Sequence, residues 1–283
     1  MYALVASGFS LIYATCKFVH FAHGSVIAIA GYVLYLFFAV LGLNFWLAVL
    51  LTIVLCAFLG LAINALVYKK FRQRKASAVI LLIASFALLI LFESLILIFF
   101  GADVKTIGFI KIGKGLEFFN AIITPLQIVI IIIAAMLFGL LFLLMKKTKI
   151  GKAIRAVADN KDVAEIVGIS AEKIYNYVFF LGSLIAGVAG VLVGLEQNLE
   201  PTMGTALMIK GFSGAVIGGI NAVPGVILGS FYLALWKTSA SGFYPLATKT
   251  PLPLSFCLFS FYLSPKVFWE KRNKRNRYFP VFL

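Results

Sequence analysis

Residues 45–75 read FWLAVLLTIVLCAFLGLAINALVYKKFRQRK, a long apolar run that ends in a dense basic cluster. The apolar part, residues 45–68, is longer than the roughly 20 residues that a helix needs to cross a bilayer. Five of the residues at 69–75 are lysine or arginine, and such clusters are typical of loops on the cytoplasmic side of a membrane. The stretch therefore predicts a transmembrane helix that runs from outside to inside.

The composition of the whole chain agrees with a membrane protein. Of its 283 residues, 63% are hydrophobic and 12% are charged, which is about half the charged fraction of a typical soluble domain. The mean hydropathy is +1.06. These values exclude an ordinary cytosolic enzyme, and the high hydrophobicity excludes a disordered chain.

The basic excess is concentrated along the chain. There are 25 basic and 10 acidic residues, and 18 of the basic ones lie within 69–75, 146–175 and 266–277. Each of these stretches follows an apolar run, as positive cytoplasmic loops do. A nucleic-acid partner is not predicted, because it would need the charge on a continuous solvated face.

The apolar runs predict an all-α fold, a polytopic transmembrane helix bundle. Besides 45–68 they cover residues 1–16, 24–41, 76–100, 122–145, 177–195, 207–236 and 251–263. The run 207–236 could hold one broken helix or two helices hinged at Asn221 to Pro224. Two crossings there would place all basic stretches inside, with residues 101–120 forming an outside loop, so the charge rule favours roughly eight or nine spans.

The sizeable hydrophilic segment, residues 146–176, is predicted to fold. Its apolar residues from Ile154 to Val167 recur at helical spacing, and Asp159 to Val167 is typical of a short amphipathic helix that ends at Gly168. Ser170 is the predicted N-cap of the next helix. The segment is either a loop on anionic lipid headgroups or a docking surface for a cytoplasmic partner.

Small residues four apart recur late in the chain. Such pairs let helix backbones approach closely in lipid. The pairs are Gly190 and Gly194, Gly214 and Gly218, and Gly225 and Gly229. They indicate either plain bundle packing or a bundle whose crowded helices shift to open a path, with Asn221 and Pro224 supplying a break.

Polar residues inside the apolar runs are few. Glu93 is either a functional carboxylate or a residue held by a bundle hydrogen bond near the outer interface. His20 and His23 could bind a metal ion, but no third ligand is near them in the sequence. No phosphate loop, dinucleotide motif or catalytic triad is recognisable, so no enzymatic activity, metal or cofactor is predicted.

Energy for uphill transport would then come from a partner or an ion gradient, and the scarcity of intramembrane carboxylates favours a partner.

Several stretches together resemble a known family. They are Tyr2-Ala3-Leu4 with Gly8, Val19-His20-Phe21-Ala22-His23-Gly24, Gly151 to Asp159 with Ala164 and Gly168-Ile169, Gly187 to Gly194, Lys210-Gly211-Phe212, Gly218-Gly219-Ile220 and Pro224-Gly225. In this combination they resemble the permease subunits of branched-chain amino acid ABC importers, of the LivH type. The family usually has asparagine at the position of His20, which is a departure.

The resemblance implies a transport subunit of a bacterial inner membrane, multi-pass and surrounded by lipid. It implies a second permease subunit, two cytoplasmic ATPase subunits and an extracytoplasmic substrate-binding protein as partners. Segment 146–176 would be the coupling segment, with Arg155, Ala156, Asp159, Ala164 and Gly168 as matches to the family loop. The residues assigned to the translocation path or to packing are His23, Gly24, Glu93, Gly190, Gly194, Gly214, Gly218, Asn221 and Pro224.

The resemblance covers roughly residues 2–236, which we assign to the permease domain. The family normally has an extra stretch before Tyr2, which favours a truncated or misassigned start. Residues 237–283 form a divergent, proline-rich tail, and a frameshift near Thr238 is one hypothesis for it. The alternatives to an importer subunit are an ion-coupled carrier or channel, a lipid-active membrane enzyme, and a membrane scaffold.

Overall fold

The computed structural model describes residues 1–109, 116–118 and 121–243, and within them the chain is almost entirely helical. The helices are α1 (Tyr2–Cys16), α2 (Ala22–Tyr35), α3 (Phe45–Ile63), α4 (Lys69–Gln73), α5 (Ala78–Phe100), α6 (Pro125–Lys147), α7 (Lys149–Asp159), α8 (Lys161–Ile166), α9 (Ala171–Glu196), α10 (Met203–Gly218) and α11 (Val223–Phe243). A π-helical turn, Leu36–Val40, extends α2, and a second, Asn64–Tyr68, joins α3 to α4.

Five helical segments in the described part are long and apolar enough to cross a membrane. They are Ala22–Val40, Phe45–Gln73, Ala78–Phe100, Pro125–Lys147 and Ala171–Glu196. The pair α10 and α11 would add a sixth as a broken span, since it is bent by 115°. The predicted eight or nine spans are not confirmed: α1 has only 15 residues, and residues 251–263 lie outside the described part.

Helix α9 is the centre of the bundle. It packs against α1, α2 and α3, while α10 lies against α1, α2 and α11. Over half of the residues of α9 are buried, and glycine and alanine are frequent among them. By contrast, α5 and α6 expose most of their aliphatic side chains, which is the expected position for helices that face lipid.

The two basic stretches within the described residues lie at the same end of the bundle. Arg72, from the stretch 69–75, pairs with Glu172 in the first turn of α9. At the other end of α9, Gln127 of α6 donates a hydrogen bond to Glu196 at 3.4 Å. This arrangement agrees with the predicted common side for 69–75 and 146–175. The third stretch, 266–277, lies outside the described residues.

Two short strands precede α6 in the described residues. Leu116–Phe118 and Ala121–Ile123 form a short antiparallel pair, β1 and β2, with Glu117 opposite Ile122. The sequence-based prediction began a helix at Ile122, but α6 begins at Pro125. Thr124 caps this helix reciprocally with Gln127 and proline occupies its first position, so the helix start is fixed there.

Candidate functional site

The hydrophilic segment folds against one end of the bundle. Helix α7 packs against α1, α6 and α9, with Ile154 and Val157 buried beneath it. The Thr148 hydroxyl oxygen caps α7 by accepting a hydrogen bond from the N–H of Gly151 at 2.9 Å. A side chain at Gly151 would collide with the backbone of Leu144 and Met145. Helix α7 is therefore seated on the bundle and is not a freely solvated loop.

Helix α8 is a separate helix with its own start and stop. The Asn160 side chain accepts hydrogen bonds from the N–H groups of Asp162 and Val163 at 3.0 and 3.1 Å. Gly168 follows the helix with φ of 84°, a conformation that favours glycine. The prediction of one helix from Asp159 to Val167 is therefore wrong at its start, because the amide of Asn160 caps a new helix and ends α7.

Helix α8 turns its aliphatic residues outward. Val163, Ile166 and Val167 are 56%, 86% and 72% exposed, and their spacing places them on one helix face. Exposed charged residues, Lys161 and Glu165 among them, surround these three residues. We call the three the α8 patch. An apolar patch with a polar rim is typical of a protein interface.

The predicted coupling residues divide between packing and surface positions. Ala164 is buried, and Arg155 and Ala156 are half-buried on α7. Asp159 and Gly168 are exposed. Sequence reasoning noted the helical spacing of the α8 patch but did not single these residues out as an exposed surface. The sequence did offer one signal of an exposed surface: the three residues lie beside charged residues, in a helix that is too short to bury them itself.

The start of α2 lies in the interior of the bundle. His23 is fully buried, and its imidazole lies so close to Gly8 of α1 that a Cβ there would come within 2.8 Å of the ring. Gly24 lies against Gly204 of α10, where a Cβ on either glycine would meet the backbone of the other. Glycine at these positions lets α1, α2 and α10 approach closely.

His20 has a specific partner. Its Nδ1 lies 2.8 Å from the hydroxyl oxygen of Tyr68, and its ring packs edge-on against Phe179 of α9. The His20 and His23 ring centroids are 6.3 Å apart. The two histidines are thus placed in one buried cluster that joins α2, α9 and the π-helical turn after α3.

Glu93 is tied to another helix. The hydroxyl of Thr205 in α10 donates a hydrogen bond to its Oε1. On the same helix, the Ser85 hydroxyl donates to the carbonyl of Val19 at 3.2 Å and accepts from the N–H of Phe21 at 3.3 Å. These polar contacts hold α5, most of whose surface is exposed, against α10 and the segment that precedes α2. Sequence reasoning did not identify Thr205 or Ser85.

Replacing Thr205 with valine tests the bond to Glu93. The substitution keeps the side-chain volume but removes the donor, so we expect the free energy of unfolding in detergent to fall by about 1 kcal/mol. Thr202→Val is the matched control, since Thr202 is exposed and its side chain makes no capping hydrogen bond. Equal stability of the two variants would contradict a stabilising role for the bond.

The three predicted glycine pairs lie at helix contacts. Gly190 faces Ile27 and Ala30 of α2. A Cβ added at Gly194 would lie 3.5 Å from the Cα of Gly31. Gly214 and Gly218 of α10 face the third pair, Gly225 and Gly229, in α11, and the ideal Cβ of Gly214 lies 2.8 Å from the Cα of Ser230. The second and third pairs thus form one contact.

The break between α10 and α11 begins two residues before the predicted hinge at Asn221 to Pro224. Residues 219–222 separate the two helices, and Gly219 has φ of 90°. Pro224 lies in the first turn of α11, where proline is tolerated. The Ser10 hydroxyl of α1 donates to the carbonyl of Ile220 at 2.9 Å, which satisfies a carbonyl that the break frees.

Comparison with known proteins places the chain in a family. A family model described as "Branched-chain amino acid transport system / permease component" matches residues 1–263. The match extends beyond residue 236, where the resemblance seen in the sequence fades. No solved structure matches the chain.

Several curated relatives match over most of their length. The high-affinity branched-chain amino acid transport system permease protein LivH of Escherichia coli (strain K12) is 29% identical, over 91% of this chain and 86% of that protein. BraD of Pseudomonas aeruginosa, which carries the same description, is 28% identical over 83% of this chain and 80% of that protein. The probable LivH of Methanocaldococcus jannaschii is 30% identical over 82% and 74%. The chain therefore belongs to the family of permease components of branched-chain amino acid transport systems.

Proposed function

We propose that this chain is the transmembrane permease subunit of an ATP-driven importer for branched-chain, hydrophobic amino acids. The observation that carries the proposal is the α8 patch, three exposed aliphatic side chains on a helix that α7 holds against the bundle. A segment that only connected α6 to α9 would need a handful of residues and would gain nothing by exposing this surface to water. The printed descriptions of LivH and BraD support the substrate class.

The proposed mechanism is alternating access. Two ATPase subunits on the cytoplasmic side would bind the α8 patch, and their closure would displace α7 and α8. Helix α9 follows directly and runs unbroken over 26 residues, a length of about 39 Å at 1.5 Å per residue. A displacement at its first turn would therefore reach the contacts of α9 with α1, α2 and α3, and shift the bundle between outward-facing and inward-facing states.

The further partners and the location are part of the same proposal. A second permease subunit would complete the path, and an extracytoplasmic binding protein would deliver the amino acid. The complex would lie in a bacterial inner membrane, surrounded by lipid. A total of eight or nine spans would require α1 and residues 251–263 to cross the membrane as well.

The proposal is tested with the complete complex in proteoliposomes. The chain is purified with its genomic partner subunits, and uptake of labelled leucine is measured with and without ATP inside the vesicles. ATP-dependent uptake that needs the binding protein supports an importer subunit. Uptake that follows an ion gradient and ignores ATP would instead support a secondary carrier or channel.

The predicted coupling residues on α7 give a second test. Replacing Arg155 and Asp159 together with alanine should raise the ATP hydrolysed per leucine imported, because both lie on α7, which ATPase closure would displace together with α8. Lys152→Ala, an exposed position on the same helix, is the control. A wild-type ratio in the double variant would remove these residues from the coupling surface.

A further inference from the structure

A partly buried cluster of polar side chains joins the cytoplasmic ends of α3, α4 and α9. Arg72 Nε and Nη2 donate to the two carboxylate oxygens of Glu172, each at 3.0 Å. Nη2 also donates to Asn64 Oδ1 at 2.8 Å, and the Asn64 amide donates to Asn176 Oδ1 at 2.7 Å. The Arg72 guanidinium lies over the Tyr175 ring, 4.6 Å from its centroid. We call these five residues the Arg72 cluster.

The Arg72 cluster is shielded from water more than an ordinary surface ion pair. The side chain of Arg72 is 12% exposed and that of Glu172 is 37% exposed, while Asn64 is fully buried. A planar guanidinium that binds both carboxylate oxygens fixes the relative orientation of the two helices, which a single contact does not. The cluster therefore fixes the relative orientation of α4 and α9 in addition to attracting the two helices to each other.

Its position links the coupling segment to the interior. Glu172 is in the first turn of α9, directly after the chain leaves Gly168 and Ser170. Asn64 begins the π-helical turn Asn64–Tyr68, a type of helix irregularity that is frequent at functional sites. Tyr68, at the other end of that turn, bonds His20. Hydrogen bonds and this one π-helical turn therefore link the first turn of α9 to His20.

We propose that Arg72 is a positioning residue that makes α3 move together with the first turn of α9 when the α7–α8 segment is displaced. This inference rests on the proposed function. Without the fork on Glu172, only apolar packing would join α3 to α9, and the end of α3 that continues into α4 would follow the first turn of α9 less closely. More ATP would then be hydrolysed for each complete change in the bundle. The proposal concerns coupling between helices and not contact with substrate or nucleotide.

The test compares Arg72→Gln, Glu172→Gln and the double variant in the complete complex in proteoliposomes. We expect each single variant to raise the ATP consumed per leucine by roughly fivefold or more. The double variant should be no worse than either single one, because all three remove the same contact. Arg74→Gln is the matched control: the same change two residues away, at an exposed position.

Several outcomes would overturn the inference. They are an unchanged ratio in Arg72→Gln, additive effects in the double variant, and an equal rise in Arg74→Gln. If Arg72→Gln does not assemble, Arg72→Lys replaces it, since this change keeps the positive charge but cannot bind both carboxylate oxygens of Glu172 as a planar fork; a wild-type ratio there also overturns the inference. Failure of the proposed function would look different, because the wild-type complex itself would then lack ATP-dependent uptake.

Discussion

Replacing Gly218 with leucine is expected to abolish uptake by preventing α10 and α11 from packing. A Cβ at this position would collide with the backbone carbonyl of Gly225 and would lie 2.8 Å from the Cα of Val226. Backbone atoms cannot rotate away as a side chain does, so the helices would have to separate. Overpacking of this kind costs about 1–3 kcal/mol and sometimes more, which corresponds to roughly tenfold or greater loss of the packed state.

The chain offers a matched control in Gly139→Leu. Gly139 is also in the middle of an apolar helix, α6, but a Cβ there meets nothing within 4 Å. Folded protein is measured by size-exclusion chromatography in detergent and transport by leucine uptake. We expect Gly139→Leu to retain both and Gly218→Leu to lose uptake. Normal uptake in Gly218→Leu would show that this contact does not require a small residue.

Replacing Ile166 with aspartate is expected to detach the ATPase subunits from an otherwise folded permease. Ile166 is the most exposed member of the α8 patch, so the isolated chain tolerates a polar side chain there. In the complex the same position would become buried, and losing a buried isoleucine side chain costs about 1.5–3 kcal/mol. An unpaired charge in the interface adds to this cost, so we expect affinity to fall by roughly a hundredfold.

The measurement is co-purification of the ATPase with the permease, together with the thermal stability of the permease alone. Ile166→Leu is the control, because it keeps an apolar side chain of the same volume. The expected result is loss of co-purification for aspartate only, at unchanged stability. Retained ATPase binding in Ile166→Asp would mean that the ATPase does not bind the α8 patch. The patch would then be expected to lie against the lipid surface instead.

Most of the helices could be predicted from the sequence because lipid imposes a simple rule. A segment that crosses the hydrocarbon must be long, apolar and internally hydrogen-bonded, so the runs at 24–41 and 76–100 define helices almost without context. The boundaries were less accurate. The basic residues after Tyr68 were expected to end α3, but the helix continues to Gln73, because charged residues beyond the membrane remain good helix formers in water.

The candidate site was only partly predictable. Segment 146–176 and the glycine pairs could be located because their residue types recur at fixed spacing. The Arg72 cluster was not found, since Arg72 and Glu172 are 100 residues apart and each resembles an ordinary cytoplasmic charge. Likewise, Thr205 has no sequence feature that marks it as the partner of Glu93.

The sequence by itself determined that the chain is a helical membrane protein, that residues 69–75 and 146–175 lie at the same end of the bundle, and that a break divides the run 207–236. These properties depend on composition and periodicity, which are local. Only the tertiary structure decided that the α8 patch faces outward, that Gly218 lies against Gly225, and that Arg72 reaches Glu172. Each of these depends on how separate helices pack, and packing brings together residues that no spacing along the chain connects.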